Sequence, residues 1–233
     1  MKIHVVSMAR SGSTYLATTV AAYNVKKNER SVYLDEPLND IIYENAIENF
    51  LKTVTTVKSI TMKDHMDFYV KFKTTDMYNE YSKIKIYKIG LLRKDIFESS
   101  LSHAISLQTQ EWHRFTYTNP FIVNMDTFMM CLQEQIKSWE KYVTNIDNFN
   151  EILYYEDLTG DPVIDFNNLK IHNQRTFSAM PLDDDMLFIT NRSPDKQYMT
   201  INYNELRDSA ATYLDKFTNP LIKRTGFLFE LCN

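Results

Sequence analysis

The chain has few glycines and cysteines, no excess of basic residues and no long apolar run. Its 233 residues include four glycines and two cysteines, and 26 Lys and Arg against 30 Asp and Glu give a net charge of −4. This balance argues against nucleic-acid binding by bulk electrostatics. Cys131 and Cys232 form no metal-ligand spacing, which favours a reducing compartment. Without a membrane-length apolar run or a signal-peptide pattern, we expect a cytoplasmic protein with no membrane partner.

Aromatic residues are abundant, and their number excludes a disordered chain: there are 14 Phe, 15 Tyr and 2 Trp. The length suits a single domain over residues 1–233. Helix and strand patterns alternate, which predicts an α/β fold with a mostly parallel central sheet. The predicted strands are 2–7, 31–34, 68–73, 85–92 and 151–155. The predicted helices are 13–24, 39–52, 94–109, 125–146, 164–169 and 203–216. The stretch 173–200 is polar and irregular and is predicted to be a surface loop or lid.

The most informative segment follows the first strand, where Arg10-Ser11-Gly12-Ser13-Thr14 leads into a helix. A tight turn before a helix directs backbone N–H groups at whatever lies above it, which makes it a ready anion site. The segment lacks both the first glycine and the lysine of the usual nucleotide phosphate loop. An ordinary polar turn with an N-cap serine is the alternative.

A second segment repeats this arrangement at the end of a later strand. Arg93 follows an apolar strand and precedes a helix that carries Ser99 and Ser102 on one face. Ligands of parallel sheets bind beyond the carboxyl ends of the strands, so Arg93 is expected to meet an anion at the same edge as Arg10. The alternative is an arginine paired with Asp95 and serines that face water.

A third segment, Tyr154-Tyr155-Glu156-Asp157-Leu158, is typical of a strand exit followed by a helix start. In order and approximate spacing, the three segments resemble the sulfotransferases, over roughly residues 1–162. That family transfers a sulfuryl group from 3′-phosphoadenosine-5′-phosphosulfate (PAPS) and releases adenosine 3′,5′-bisphosphate (PAP). The resemblance implies a P-loop-like, three-layer α/β fold.

The resemblance also implies roles for individual residues. Arg10 stands where the family has a cation that contacts the 5′-phosphate and the sulfuryl group. Arg93 and Ser102, with Ser99 as the alternative serine, would hold the 3′-phosphate, and Tyr155 would lie near the adenine. The remaining loop residues would cradle the phosphosulfate; they are Ser11, Gly12, Ser13 and Thr14.

The acceptor hydroxyl or amine must lose a proton, which calls for a general base. Some sulfotransferases use a histidine in a Lys-x-His motif after a central strand, and the stretch Lys71-Phe72-Lys73 has a lysine in the place of that histidine. Other branches use a glutamate downstream of the phosphate loop. Glu36 fits that pattern and is predicted to be the base, with Asp35 as the competitor and an exposed acid before a proline as the alternative.

Lys71 and Lys73 alternate on one predicted strand and so point to the same face, where one of them would neutralise charge on the bridging oxygen. His4, inside the first strand, is expected to be structural, and the five histidines show no ligand spacing. No metal is therefore expected. The predicted function is PAPS-dependent sulfuryl transfer to a small-molecule, carbohydrate or tyrosine acceptor. A kinase with a degenerate phosphate loop and a non-catalytic phosphonucleotide-binding module remain alternatives, and the oligomeric state is open.

Overall fold

The computed structural model describes residues 1–14, 16–18, 20–21, 31–39, 44–110, 120–158 and 196–216. The chain divides into two compact units, Met1–Leu92 with Thr144–Thr190 and Arg93–Val143 with Asn191–Asn233. The predicted helix 164–169 and most of the predicted loop 173–200 lie outside the described residues. Within those residues, no helix combines the length and the apolar character needed to cross a membrane.

The first unit contains a five-stranded sheet in which all neighbouring strands are parallel. Its strands are β1 (Lys2–Ser7), β2 (Ser31–Asp35), β3 (Ser59–His65), β4 (Tyr87–Leu92) and β5 (Glu151–Tyr154). They lie in the order β2-β3-β1-β4-β5, with β1 at the centre. The predicted α/β fold with a parallel central sheet is therefore confirmed. A strand covered on both faces is buried in both directions, which explains why residues 3–7 of β1 are all buried.

Helix α1 begins at residue 13 and is described to residue 21, apart from residues 15 and 19. The helices that follow are α2 (Glu44–Thr56), α3 (Met66–Lys73), α4 (Met77–Lys83), α5 (Ile96–Thr109), α6 (Met125–Thr144) and the short α7 (Tyr155–Leu158). A 3₁₀ turn spans Ile146–Asn148, and the helices Lys196–Met199 and Tyr203–Lys216 belong to the second unit. The helices predicted after the first strand and at 94–109, 125–146 and 203–216 are present.

Helices cover both faces of the sheet, which confirms the three layers. On one face, α1 packs against β1 and β4 in a fully apolar cluster; its members are Ile3, Val5, Leu16, Ala17, Val20, Ile89 and Leu91. On the other face, His4 contacts Tyr69 of α3 and Tyr81 of α4. Successive residues of a strand point to opposite faces, so His4 and its neighbours Ile3 and Val5 serve different layers.

The prediction of a strand at 68–73 is wrong, because these residues belong to α3. Met66, Tyr69 and Phe72 are its buried residues, and their spacing of three is that of a helix face. The strand of this region, β3, lies just before it and was not predicted. Its buried positions include Thr61, Lys63 and Asp64. An inner strand that buries four polar side chains, with Ser59 as the fourth, does not show an apolar run in the sequence.

Candidate functional site

The carboxyl end of β1 is the place where the topology of the sheet favours a ligand site. β1 lies between β3 and β4, and the chain builds the β2–β3 side of the sheet before it crosses to β4. In open parallel sheets, ligands bind at such a switch point, in the crevice outside the carboxyl ends of the strands. The loop after β1 occupies this position.

That loop is held by backbone geometry that favours an anion. The Met8 amide donates to Leu91 O at 3.2 Å, and Ser11 Oγ donates back to Met8 O at 2.7 Å. Arg10 and Gly12 both lie in the left-handed region, with φ of 59° and 72°, on either side of Ser11. Alternation of this kind turns successive N–H groups into one concavity. Helix α1 begins at residue 13, so Gly12 stands at the N-cap position, where the alternative interpretation required a serine.

Helix α1 starts directly beyond this concavity. The Gly12 carbonyl accepts the helical hydrogen bond from the Leu16 amide at 3.1 Å. Ser13 and Thr14 form the first helical residues, whose N–H groups have no partner within a helix. The partial positive charge of a helix N-terminus therefore adds to the Arg10 cation at the end of β1.

Tyr155 explains why the loop has glycine at position 12. Tyr155 opens α7 immediately after β5, and a Cβ at Gly12 would lie 2.5 Å from its Cε2 atom, closer than real Cβ atoms approach anything. The positive φ of Gly12 disfavours a side chain for an independent reason. The structure thus brings Tyr155 onto the phosphate-loop candidate, although its predicted proximity to adenine stays a prediction.

Lys63 and His65 come from the neighbouring strand β3 and meet the predicted base, Glu36. The Lys63 ammonium lies 2.7 Å from Glu36 Oε1, and His65 Nε2 lies 3.1 Å from the same oxygen. His65 pairs in register with Ser7 of β1, next to the start of the loop. In that register, Lys63 and His65 project from the face of the sheet that α1 covers. The Lys63 side chain is 6% exposed and that of His65 is 31% exposed, so the imidazole is the accessible member.

Glu36 is held in a strained turn just beyond β2. Its φ is 48°, and its amide donates to Lys63 O at 2.7 Å. The hydrogen bond from His65 and that from Lys63, against an opposing effect of burial, lower the pKa of Glu36 to about 2. Glu36 is therefore ionised at neutral pH and has little affinity for a proton, whereas it is a strong partner for a cation. The competitor Asp35 lies 3.1 Å from Lys63 and is 56% exposed.

The structure corrects the positions of Lys71 and Lys73. Both lie on helix α3, where residues two apart do not share a face, so the premise of two lysines in phase on a strand is wrong. Lys71 is exposed, and Lys73 donates to Asn145 Oδ1 at 2.7 Å. The Lys-x-His spacing instead occurs at Lys63-Asp64-His65, at the carboxyl end of β3. Sequence reasoning missed both Lys63 and His65, although the three-residue motif itself was the available signal.

Asp64, between these two residues, points to the opposite face and enters a buried network. Its Oδ2 lies 2.8 Å from His4 Nε2, while His4 Nδ1 lies 2.6 Å from the Tyr81 hydroxyl. The Leu38 amide donates to Asp64 Oδ1 at 2.9 Å, which ties the turn after Glu36 to this network. Burial raises the pKa of Asp64 and that of Tyr81. His4, predicted to be structural, is fully buried with both ring nitrogens within hydrogen-bond distance of a partner.

The second unit carries the other predicted anion-binding residues. Arg93 is the first residue after β4, and the Asp95 side chain caps α5 by accepting from the Glu98 amide at 2.8 Å. Ser99 and Ser102 are buried, so the alternative in which they face water is wrong. Among the described residues, Ser99 Oγ has no hydrogen-bond partner. A buried hydroxyl without a partner is costly and therefore calls for a ligand or water.

Comparisons with known proteins add little to this geometry. No protein-family model matches the chain, and no curated protein matches it. Among solved structures, a sulfotransferase domain from the curacin biosynthetic pathway is similar over 98% of this chain and 98% of its own, with 12% identity and a TM-score of 0.42. A likeness at this level assigns no function, so the function has to be inferred from the residues of the site.

Proposed function

We propose that the protein is a sulfotransferase that transfers the sulfuryl group of PAPS to the hydroxyl or amine of an acceptor. The observation that carries the proposal is the pairing of Ser7 with His65. This pairing sets an anion-binding loop beside a lysine and an accessible imidazole. Sulfuryl transfer needs these three elements together: a cradle for an anionic donor, a cation for the charge that develops on the leaving phosphate, and a base for the acceptor proton.

The loop residues fit the phosphosulfate end of such a donor. The concavity around Ser11 and the start of α1 offer N–H groups, and Arg10 adds a charge that pairs well with phosphate oxygens. For the 3′-phosphate, the resemblance named Arg93 with Ser102 or Ser99. The buried Ser99 hydroxyl without a partner in the described structure now favours Ser99. Tyr155 remains the candidate for contact with the adenine.

His65 is the better candidate for the base, with Glu36 as its positioning partner. PAPS, when bound, supplies an activated sulfuryl group. As the acceptor oxygen attacks sulfur and the bond from sulfur to the leaving phosphate oxygen breaks, the acceptor proton would pass to His65 Nδ1. Glu36, which lies 3.1 Å from Nε2, would fix the tautomer and stabilise the imidazolium that forms.

Lys63 would serve the leaving group, in place of Lys71 and Lys73. A lysine ammonium has three donors. In the described structure two of them face Asp35 and Glu36, at 3.1 and 2.7 Å. The third can stabilise the oxygen on which negative charge develops. Because Lys63 is almost fully buried, its charge is screened little by water, which strengthens this effect.

The proposal is tested first by calorimetric titration of the purified chain with PAP and with ATP, each with and without magnesium. We expect PAP to bind without magnesium, ATP to bind more weakly, and Arg10→Ala and Arg93→Ala to weaken PAP binding by at least tenfold. Arg10→Lys, which keeps the charge, is the matched control and should retain part of the affinity. Absence of PAP binding, or preference for ATP with magnesium, would overturn the proposal and favour a kinase.

Transfer itself is tested with ³⁵S-labelled PAPS and a panel of carbohydrate, tyrosine-peptide and small hydroxyl or amine acceptors. Label on any acceptor class, lost in Arg10→Ala, supports the reaction. Loss of one donor that stabilises transition-state charge costs on the order of 10²–10³ in rate. Tight PAP binding with no transfer to any acceptor would instead indicate a non-catalytic phosphonucleotide-binding module.

A further inference from the structure

Three side chains with metal-binding donor atoms converge in the second unit, apart from the residues considered so far. His103 comes from α5, and Cys131 and Glu134 come from α6, where a spacing of three puts them on one face. The His103 ring nitrogen, Cys131 Sγ and a Glu134 carboxylate oxygen all lie within 4.8 Å of one another. Cys131 is fully buried, His103 is 13% exposed and Glu134 is 52% exposed.

The separation between His103 and Glu134 exceeds a hydrogen bond and is compatible with an ion shared by the two side chains. His103 Nδ1 and Glu134 Oε2 are 3.8 Å apart, beyond the range of a hydrogen bond. Zinc lies about 2.0–2.2 Å from nitrogen and oxygen ligands and about 2.3 Å from sulfur, so ligand atoms of a tetrahedral site are roughly 3.3–3.7 Å apart. A movement of about 1 Å closes the cluster to that geometry, and the exposed Glu134 side chain has room to make it.

We propose that His103, Cys131 and Glu134 form a binding site for a divalent transition metal, with Zn²⁺ the best fit. Thiolate and imidazole select against magnesium and calcium, which prefer oxygen ligands, and the mixed donor set suits zinc. Three protein ligands leave a fourth position for water, on the side where Glu134 is exposed. The sequence analysis expected no metal because neither the two cysteines nor the five histidines show ligand spacing, whereas this cluster combines one cysteine with a histidine from another helix.

A reactive-thiol role for Cys131 is the main competing explanation, and its surroundings disfavour it. Reactive cysteines are accessible and lie in electropositive settings that favour the thiolate. Cys131 is fully buried, and the acidic Glu134 lies within 4.8 Å of its sulfur, so the thiol meets neither condition.

The site is tested by titrating the full chain with Co²⁺, a spectroscopic substitute for zinc, and by measuring the metal content of protein purified without chelators. We expect one equivalent of Co²⁺ to give a thiolate-to-metal charge-transfer band and tetrahedral visible bands, both abolished by one equivalent of Zn²⁺. Cys131→Ser should lose the charge-transfer band, whereas the matched control Cys232→Ser should keep it. Absence of the band in the wild-type chain, or its survival in Cys131→Ser, would overturn the proposal.

A second variant is needed because Cys131 is buried, and loss of the band in Cys131→Ser could also result from misfolding. Glu134→Gln changes a half-exposed side chain, so it should fold normally, as circular dichroism would verify, and should bind Zn²⁺ at least tenfold more weakly in competition with a chromogenic chelator. Unchanged affinity in a folded Glu134→Gln variant removes Glu134 from the site and overturns the three-ligand proposal. None of these readouts uses PAP or transfer, so their result is independent of the proposed function.

Discussion

Adjacent residues of β3 lie on opposite faces of the sheet and have different environments. On the face that α1 covers, Lys63 and His65 meet the half-buried Glu36. On the other face, Asp64 and Tyr81 are each within hydrogen-bond distance of the buried His4. Hydrogen bonds from His65 and Lys63 lower the pKa of Glu36, whereas burial raises that of Asp64. The carboxylate of Glu36 is thus ionised and partly accessible, whereas the carboxylate of Asp64 is buried and ties the turn after Glu36 to the sheet.

Replacing His65 is expected to have the largest effect. His65→Asn removes the proposed base but keeps a polar side chain of similar size, so transfer should fall by about 10²–10⁴. The measurement is the rate of ³⁵S transfer to the acceptor found in the panel, and PAP affinity should stay within threefold of wild type.

The comparison with Glu36→Gln decides which residue is the base. If Glu36 only positions His65, its loss should lower transfer less than the loss of His65. Transfer that survives in His65→Asn and disappears in Glu36→Gln would return the base to Glu36, as the sequence analysis expected.

Replacing Asp64 should have the largest effect on stability. Asp64→Ala leaves His4 and the Leu38 amide without their buried acceptor, and loss of one member of such a pair costs about 3–5 kcal/mol. Urea unfolding measures this change. Asp64→Asn is the matched control, because its amide oxygen can still accept from Leu38. A change below about 1 kcal/mol in Asp64→Ala would contradict the distinction between the two faces of β3.

Replacing Gly12 should weaken both the fold and anion binding. Gly12→Ala forces a side chain into a left-handed residue, at a cost of about 1–2 kcal/mol, and into the Tyr155 ring. We expect at least a tenfold loss of PAP affinity by calorimetry. Gly12→Ala combined with Tyr155→Ala should recover part of the loss if the ring contact contributes. Wild-type affinity in Gly12→Ala would argue against loop binding.

The pH dependence of stability should differ between wild type and Glu36→Gln. The folded pKa of Glu36 is about 2 against an ordinary value of 4.5, so its stabilising contribution is complete above pH 4.5 and is lost as the pH falls towards 2. At neutral pH we expect Glu36→Gln to lose about 1–2 kcal/mol, because hydrogen bonds to a charged group are partly offset by solvent exposure.

Urea unfolding of both chains between pH 7 and pH 3 measures this prediction. The difference in free energy of unfolding between the two chains should stay constant down to about pH 4.5 and shrink below that pH. A difference that stays constant over this range would show that Glu36 has no depressed pKa in the folded chain.

Sequence reasoning succeeded where local pattern and tertiary environment agree. β1 and its loop follow from a mainly apolar segment and a single glycine, and β2, which ends next to Glu36, lies where a strand was predicted. β3 could not be predicted in this way, because its buried Lys63 and Asp64 are stabilised by Glu36 and His4 from distant segments. The alternation of apolar residues and lysines over 70–73 mimics a strand, yet tertiary packing selects the helical spacing of Tyr69 and Phe72.

Replacing the lysines of α3 should have the smallest effect, although the sequence analysis predicted a catalytic role for one of them. Lys71 is exposed, so Lys71→Ala should leave transfer, PAP affinity and stability within error, with less than about 0.5 kcal/mol in unfolding free energy. Lys73→Ala loses the hydrogen bond to Asn145 and should cost about 1 kcal/mol with transfer unchanged. Lys63→Ala is assayed in parallel with both variants. A tenfold loss of transfer in Lys71→Ala, with normal transfer in Lys63→Ala, would show that the catalytic cation is on α3 and not on β3.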